Sequence, residues 1–397
     1  MSVAGIIAEF NPLHNGHIAH INETRALSGC KFVVAVMSGN FVQRGEPAIC
    51  NKWHRTRMAL LNGIDVVVEI PMPYVISGAD YFARASVGLL EKMGVVDVLS
   101  FGSECGNLQE ILTAGEILAT ETAQYKQTLR IALDAGMSFA AAKSKALEKS
   151  WLGATAPSDG LLTKPNNSLA IEYCKALKLL GSTMKIITTH RRTGGPSATK
   201  TRHQLLQLQA EDTSQNYPEN VSVILNEIRK FTKLDDFSNI FKYLLFTKFE
   251  NLRMGEGLEN RFLKKCGEYT EISDMLAIIK TKRYTYTRLQ RHVLKTLLDV
   301  TTEDMTTYDK NGAAQYIRIL GFKKNASGLV GDIVRKSTLP VITTNAELGD
   351  ILNNKSGQMT LAAKMLKSEL TASDIYRVAS GENGMPHGER GAQIVIL

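Results

Sequence analysis

Four short apolar runs punctuate the first hundred residues, and the stretches between them carry apolar positions at helical spacing. Residues 3–9 read Val-Ala-Gly-Ile-Ile-Ala-Glu, 31–37 Lys-Phe-Val-Val-Ala-Val-Met, 64–70 Ile-Asp-Val-Val-Val-Glu-Ile and 95–101 Val-Val-Asp-Val-Leu-Ser-Phe. Near-continuous runs of this length fit strands buried on both faces. Residues 52–61 and 81–93 fit the intervening helices, so the alternation predicts an α/β parallel sheet covered on both sides. A fifth run at 184–189 extends the sheet after a mostly helical stretch, 106–180, broken around 153–165. Beyond His203 glutamine becomes frequent, acidic residues enter and the strands stop. Residues 221–245 and 252–266 read as amphipathic helices. The expected organisation is a sheet domain over 1–203 and a mostly helical, basic domain over 204–397.

The turn after the first strand concentrates the chemistry. Phe10-Asn11-Pro12 cannot continue a strand, and His14-Asn15-Gly16-His17 follows at once, ahead of a helical pattern through Ile18, Ile21, Ala26 and Leu27. Ligands of open parallel sheets lie at the carboxyl ends of strands, where helix N-termini attract phosphate. Gly16 lets a ligand approach the backbone. Two imidazoles three residues apart share one side and can donate to phosphate oxygens. Against this stands a plainer reading, in which one histidine caps the helix and the other lies on the surface. A zinc site lacks a third nearby ligand, and no metal ligands are assigned.

Three further stretches fall at the same sheet edge. Ser38-Gly39-Asn40 follows the second strand and reads either as an ordinary loop or as a pocket wall. Gly102-Ser103-Glu104 follows the fourth, and Gly102 leaves room for a base or ribose near the backbone. His190-Arg191-Arg192-Thr193-Gly194-Gly195 and Ser197-Ala198-Thr199-Lys200-Thr201-Arg202 leave the fifth strand as a second anion cradle of hydroxyls and guanidinium groups. Either Arg191 or Arg192 faces the ligand. Two phosphate cradles around one pocket call for a nucleoside triphosphate, handled by positioning and electrostatics, since no activated nucleophile is evident.

Charge and composition narrow the setting. The 397 residues are 44% hydrophobic, enough for a sizeable core, and the net charge of +8 favours a polyanionic partner. Cys30, Cys50, Cys105, Cys174 and Cys266 are scattered without metal spacing, as reduced thiols of a cytoplasmic protein would be. No secretory leader, membrane-length apolar run or protein partner is evident. Lys52, Trp53, His54, Arg55 and Arg57 open a helix that reads equally as a charged surface or as a nucleic-acid contact. Between 280 and 295, Lys280, Lys282, Arg283, Arg288 and Arg291 interleave with Tyr284 and Tyr286, the mixture that holds single-stranded RNA by phosphate contact and base stacking. A basic surface helix with buried tyrosines reads equally well. Arg318, Lys323, Lys324, Arg335 and Lys336 extend the basic character.

Phe10-Asn11-Pro12-Leu13-His14-Asn15-Gly16-His17 resembles the signature of the HxGH nucleotidyltransferase superfamily. Together with Met-Ser-Gly-Asn-Phe-Val-Gln-Arg-Gly-Glu-Pro-Ala at 37–48 and Phe101-Gly102-Ser103-Glu104, it is similar to the bacterial tRNA(Met) cytidine acetate ligase family. The likeness is dense over 1–105 and returns in patches from Lys164. It implies a Rossmann-like nucleotidyltransferase domain binding ATP, with Mg²⁺ on the triphosphate. Acetate would attack the α-phosphate to give acetyl-adenylate. The N4 amine of the wobble cytidine, in the anticodon loop of elongator tRNA(Met), would then take the acetyl group, leaving N4-acetylcytidine and AMP. The residues it implies at ATP are Ile7, Ala8, Glu9, Phe10, Asn11, Pro12, Leu13, His14, Asn15, Gly16, His17 and His20, then Gly102, Asn166, Asn167, Arg191 or Arg192, Ser197 and Thr199. His14, His17 and Arg202 carry the catalysis, with Arg202 on the leaving pyrophosphate. The resemblance also turns the 280–295 segment towards RNA. Two other readings stay open: a small-molecule adenylyltransferase of coenzyme biosynthesis, and a non-catalytic RNA-binding protein with a relict nucleotide site.

Overall fold

In the computed structural model each predicted apolar run forms a strand: β1 (Val3–Ala8), β2 (Phe32–Ser38), β5 (Val66–Ile70), β6 (Val98–Ser103) and β7 (Lys185–His190). A hairpin of β3 (Phe41–Val42) and β4 (Glu46–Pro47) follows β2, and β8 (Ile317–Phe322), β9 (Val341–Ile342) and β10 (Val395–Ile396) come late in the chain. The structure describes residues 1–151, 157–158, 160–191, 198–207, 216–248, 257–281, 284–353, 359–382 and 388–397. The main sheet has eight strands, with the path β10-β8-β5-β2-β1-β6-β7 and β9 paired to β8. β1 lies at its centre, parallel to β2 and β6, which is why the turn after β1 faces the middle of the carboxyl edge.

Side chains alternate across β2: Val34 and Val36 pack with the helices Ala79–Lys92, Leu108–Thr120 and Pro165–Leu180, while Val33, Ala35 and Met37 face Asn15–Ser28 and Lys52–Leu61. Both faces are therefore dry, as uninterrupted Val runs require. The helices Ser238–Thr247, Leu258–Cys266, Ile272–Ile279 and Tyr286–Leu297 form a bundle whose apolar side joins the first of these cores, with Phe241 edge-on to Phe262 at 5.4 Å. The region expected as one helix over 221–245 is instead Glu219–Asn226, a 3₁₀ turn Leu234–Phe237 and Ser238–Thr247.

The strands do not stop near His203. β8 joins the sheet antiparallel to β5, so the sheet takes strands from both sides of that compositional change. Arg318 disguises it, because an arginine inside Ile-Arg-Ile-Leu-Gly-Phe reads as surface. In the fold Arg318 is buried and contacts Glu69 at 3.2 Å and Glu389 at 3.0 Å. Lys52 enters the same cluster, 2.6 Å from Glu69 and 2.8 Å from Glu389, and Arg55 is also fully buried. Lys52 and Arg55 are thus interior scaffolding, while Arg57 stays partly exposed and pairs with Glu227 at 2.8 Å.

Candidate active site

His14 stands one residue before the helix Asn15–Ser28 and caps it. Its Nδ1 accepts from the Gly16 N–H at 3.1 Å, and Nδ1 of His17 accepts from the His14 N–H at 3.1 Å. A ring nitrogen that accepts carries no proton, so in both neutral imidazoles the proton sits on Nε2. Capping and ligand binding therefore use different nitrogens of the same rings. The rings stack at 3.7 Å with 25° between planes, and Phe10 meets His17 edge-on at 5.2 Å. His14 Nε2 is buried and, among the described residues, has no hydrogen-bond partner to offset its desolvation. Burial first, then the charge of Arg191, pushes the His14 pKa down to about 4. Burial and the neighbouring His14 hold His17 well below its usual range. His20, with Nδ1 2.8 Å from Thr189 Oγ1, is lowered to about 4 by burial and Arg191. At neutral pH all three rings are uncharged, and the positive charge at this edge comes from arginine.

Arg202, on the helix Ala198–Gln207, reaches back to the first turn. Its Nη1 donates to the Asn11 carbonyl at 3.1 Å, Nη2 lies 3.6 Å from Glu46 Oε2, and Thr199 Oγ1 is 3.5 Å away. Arg44 Nη1 also points at Thr199 Oγ1, at 3.4 Å. The two cradles, some 180 residues apart in sequence, thus meet across one edge. Arg191 donates its N–H to the Ser103 carbonyl at 2.8 Å and its Nη1 to Asn166 Oδ1 at 2.7 Å. Its stem crosses Gly102, where an added Cβ would lie 3.0 Å from Arg191 Cγ. The space that Gly102 leaves is thus crossed by an arginine. Arg191 is near enough that its charge lowers the pKa of all three imidazoles. Arg192 and Ser197 lie outside the described residues.

The Asn166–Asn167 pair opens the helix Pro165–Leu180, and Glu104 caps it: Oε1 accepts from Asn166 N–H at 3.1 Å and Oε2 from Asn167 N–H at 2.8 Å. In return Asn167 Oδ1 accepts from the N–H groups of Glu104 at 2.8 Å and Cys105 at 3.1 Å. Asn167 is fully buried and holds the loop after β6 from behind, while Asn166 is half-buried between Glu104 and Arg191. That helix N-terminus is spent on a carboxylate and is not an anion site.

The remaining residues near the first turn are held from an unexpected side. Glu9 is half-buried; its Oε1 accepts from the Gln43 N–H at 2.6 Å. Arg55 donates to the carbonyls of Glu9 at 2.7 Å and Ser38 at 3.1 Å and also to Gly39, tying the ends of β1 and β2 together. Asn11 Oδ1 accepts from Ile49 N–H at 2.8 Å; Ile7 and Ala8 end β1, Pro12 and Leu13 lie in the turn, and Asn15 opens the helix. Asn40 Oδ1 caps Lys52 N–H at 2.8 Å, so Ser38-Gly39-Asn40 is a wall built by hydrogen bonds.

The 280–295 segment is not the open RNA platform expected. Tyr284 is buried with the guanidinium groups of Arg261 at 5.4 Å and Arg288 at 5.2 Å from its ring centre, which leaves no face for a base. Arg291 donates Nε–H to the Gln43 carbonyl at 2.8 Å, and Gln290 donates to Glu46 at 3.2 Å. Gly45 makes this contact possible: φ is +82° there and a Cβ would fall 2.7 Å from the Arg291 backbone nitrogen. The helix Tyr286–Leu297 thus clamps the hairpin wall. Lys280 is exposed; Lys282 and Arg283 lie outside the described residues. No sequence signal separates Arg55 or Arg291 from surface arginines. Glu104 could have been found, as an acid facing a Pro-Asn-Asn helix start.

Among the described residues no group of three His, Cys, Asp or Glu side chains could hold a metal ion, and no helix is long and apolar enough to cross a membrane.

The profile of a family described as HIGH Nucleotidyl Transferase matches residues 1–389. The tRNA(Met) cytidine acetate ligase of Thermoanaerobacter sp. (strain X514) is 36% identical over 398 residues, covering 96% of each chain. That of Caldanaerobacter subterraneus subsp. tengcongensis is 37% identical over 396 residues, again covering 96% of each. The crystal structure of Thermotoga maritima TmcAL bound with α-thio ATP superposes with a TM-score of 0.91 at 30% identity, covering 100% of both chains.

Proposed function

The chain belongs to the HIGH nucleotidyl transferase family, among its tRNA(Met) cytidine acetate ligases, and we propose that it activates acetate with ATP and acetylates N4 of the wobble cytidine of tRNA(Met) at the site after β1. The observation that carries this is the pair of imidazoles whose Nε2–H groups are fixed as donors by backbone hydrogen bonds, with the charges of Arg191 and Arg202 close by. ATP lies along residues 7–17, its triphosphate between the rings and the guanidinium groups. An acetate oxygen attacks the α-phosphorus, pyrophosphate leaves towards Arg202, and acetyl-adenylate remains. Neutral donors already aimed at the phosphate need no reorganisation as charge builds there, which is the larger part of such catalysis. The N4 amine then attacks the acetyl carbon and AMP leaves. Mg²⁺ accompanies the triphosphate as its counter-ion.

Two observations disfavour the alternatives. Relatives of a single activity cover 96% of the chain, helical bundle included, which a small-molecule adenylyltransferase does not need. The histidine pair, Arg191 and the Thr199–Arg202 part of the second cradle are held in place among the described residues, which a relict site has no reason to retain. For tRNA we retain Lys280, Lys282, Arg283 and Arg288 as phosphate contacts, and assign Tyr284 no base-stacking role and Arg291 no RNA contact. A tRNA substrate supports a cytoplasmic location.

The test is exchange of labelled pyrophosphate into ATP, followed by mass spectrometry of tRNA(Met) nucleosides. Acetate-dependent exchange and N4-acetylcytidine are expected. Exchange that requires a phosphorylated coenzyme precursor supports the adenylyltransferase, and no exchange supports the relict. His17→Ala should lower exchange about 100- to 1,000-fold, as losing one preorganised donor does, while tRNA binding persists.

A further inference from the structure

We propose that Glu9 is the base that takes the proton from N4 of cytidine during acetyl transfer, held in position for it by Gln43 and Arg291. The proposal rests on the function above, and the two half-reactions separate it from that function. Acetate enters as an anion and attacks phosphorus without losing a proton, so activation needs no base. Transfer does: as the N4–C bond forms and the C–O bond to AMP breaks, N4 becomes cationic and must release one proton. In this scheme the proton passes to the Glu9 carboxylate and then to solvent, AMP leaves as its phosphate anion, and nothing is oxidised or reduced.

The other groups at this edge are committed elsewhere. His14 and His17 accept from backbone N–H groups through Nδ1 and carry their protons on Nε2, so they are donors. His20 faces Thr189. Both oxygens of Glu104 cap the helix at Asn166 and Asn167. Glu46 is divided between Gln290 at 3.2 Å and Arg202 at 3.6 Å. Glu9 alone combines a fixed orientation with a free oxygen: Oε1 accepts from Gln43 N–H at 2.6 Å, and among the described residues nothing donates to Oε2.

Its setting is built from several distant segments. Its carbonyl is fixed by Arg55 at 2.7 Å. Gln43 is fixed in turn by Arg291 at 2.8 Å, so the bundle behind the site sets the direction of the carboxylate. Arg202, Arg44, Arg55 and Arg291 bring positive charge to it, and Tyr173 lies within its field from the helix Pro165–Leu180. Burial outweighs the arginines and raises the Glu9 pKa above the usual carboxylate range, which makes it a stronger base than an exposed glutamate. A carboxylate is also an unsuitable direct ligand for a triphosphate, since like charges repel.

The isosteric variant Glu9→Gln keeps the acceptor for Gln43 N–H and removes the base. Three measurements are made on wild type and variant: acetate-dependent exchange of labelled pyrophosphate into ATP, single-turnover transfer from synthetic acetyl-adenylate to a tRNA(Met) transcript, and the pH dependence of that transfer. Wild-type transfer should rise with pH through the Glu9 pKa and level off. In Glu9→Gln, transfer should fall about 100- to 10,000-fold and lose its acid limb, a loss far larger than any in exchange. Transfer at the wild-type rate with the acid limb intact overturns the proposal. So does an equal loss of exchange and transfer in a variant whose thermal melt is unchanged, since Glu9 would then serve the nucleotide. Absence of acetate-dependent exchange in the wild type would instead overturn the function on which the proposal rests.

Discussion

Glu369→Gln should remove a pH dependence of stability that comes from one buried cluster. Lys52, Glu69, Arg318, Glu369 and Glu389 are each at most 3% exposed, with Lys52 3.8 Å from Glu369 and the pairs to Glu69 and Glu389 closer. Three carboxylates share two cations, so one acid is in excess. Burial, and then Glu69, push the Glu369 pKa up to about 8. Glu369 thus stays protonated where the unfolded chain, with an ordinary glutamate pKa, has lost that proton. The folded state then binds more protons than the unfolded, so stability falls as pH rises through this window. The slope is about 1.4 kcal/mol per pH unit, or about 2.7 kcal/mol between pH 5.5 and 7.5. Glutamine reproduces the neutral acid: one end accepts from Met72 N–H, as the carboxyl does at 2.7 Å, and the other donates to Glu69. The advantage of Glu369→Gln over wild type should therefore be small near pH 5 and grow by about 1.4 kcal/mol per unit up to pH 7.5. Trp53 sits against the cluster, with Lys52 and Arg318 each 5.6 Å from its ring centre, so its fluorescence follows the cluster in urea titrations. The lowered pKa values of His14, His17, His20 and His54 act in the opposite direction but cancel in the difference. Stability curves that stay parallel over pH 5.5–7.5 would refute the reasoning, because Glu369 would then be ionised in the fold.

Lys52→Met leaves Arg318 alone against the carboxylates and should cost about 3–5 kcal/mol, read from the same urea midpoints. Glu104→Ala removes the cap of the helix Pro165–Leu180 and the seat of Asn166 and Asn167; it should cost about 0.5–2 kcal/mol and, in the exchange assay, raise the KM for ATP more than it lowers kcat. The buried imidazoles have folded pKa values below their unfolded ones, so their stability is present above about pH 6.5 and is lost as pH falls towards 4; calorimetry across that range should show it, and His20→Gln should weaken it. Reversing charge at Lys280, Lys282 and Arg283 should weaken tRNA binding and reduce its salt slope by about one for each phosphate that is no longer neutralised while sparing exchange; unchanged affinity in filter binding would remove this surface from the tRNA site.

What can be read in the sequence follows from what burial does to residue choice. Strands covered on both faces must be apolar throughout, so β1, β2, β5 and β6 stand out, and the edge that collects ligands follows from their parallel order. His14 and His17 are legible because an imidazole pair on a strand-to-helix turn has few structural uses. Sequence cannot show that the two histidines also cap their helix, since that depends on which nitrogen the backbone engages. Charged residues mislead most. Lys52, Arg55, Arg291 and Arg318 all lie in basic stretches that resemble surface, yet each is paired with a carboxylate or a carbonyl supplied from far along the chain. A local pattern carries no record of those distant partners. For the same reason β8 reads as a basic segment, and Tyr284 as an open stacking ring.

The most direct measurement is a crystal structure of the protein with a non-hydrolysable ATP analogue. The α- and β-phosphate oxygens should lie within hydrogen-bonding distance of Nε2 of His14 and His17, with Arg191 and Arg202 on the opposite side. A triphosphate bound elsewhere, or both imidazole Nε2 atoms turned away from it, would contradict the account.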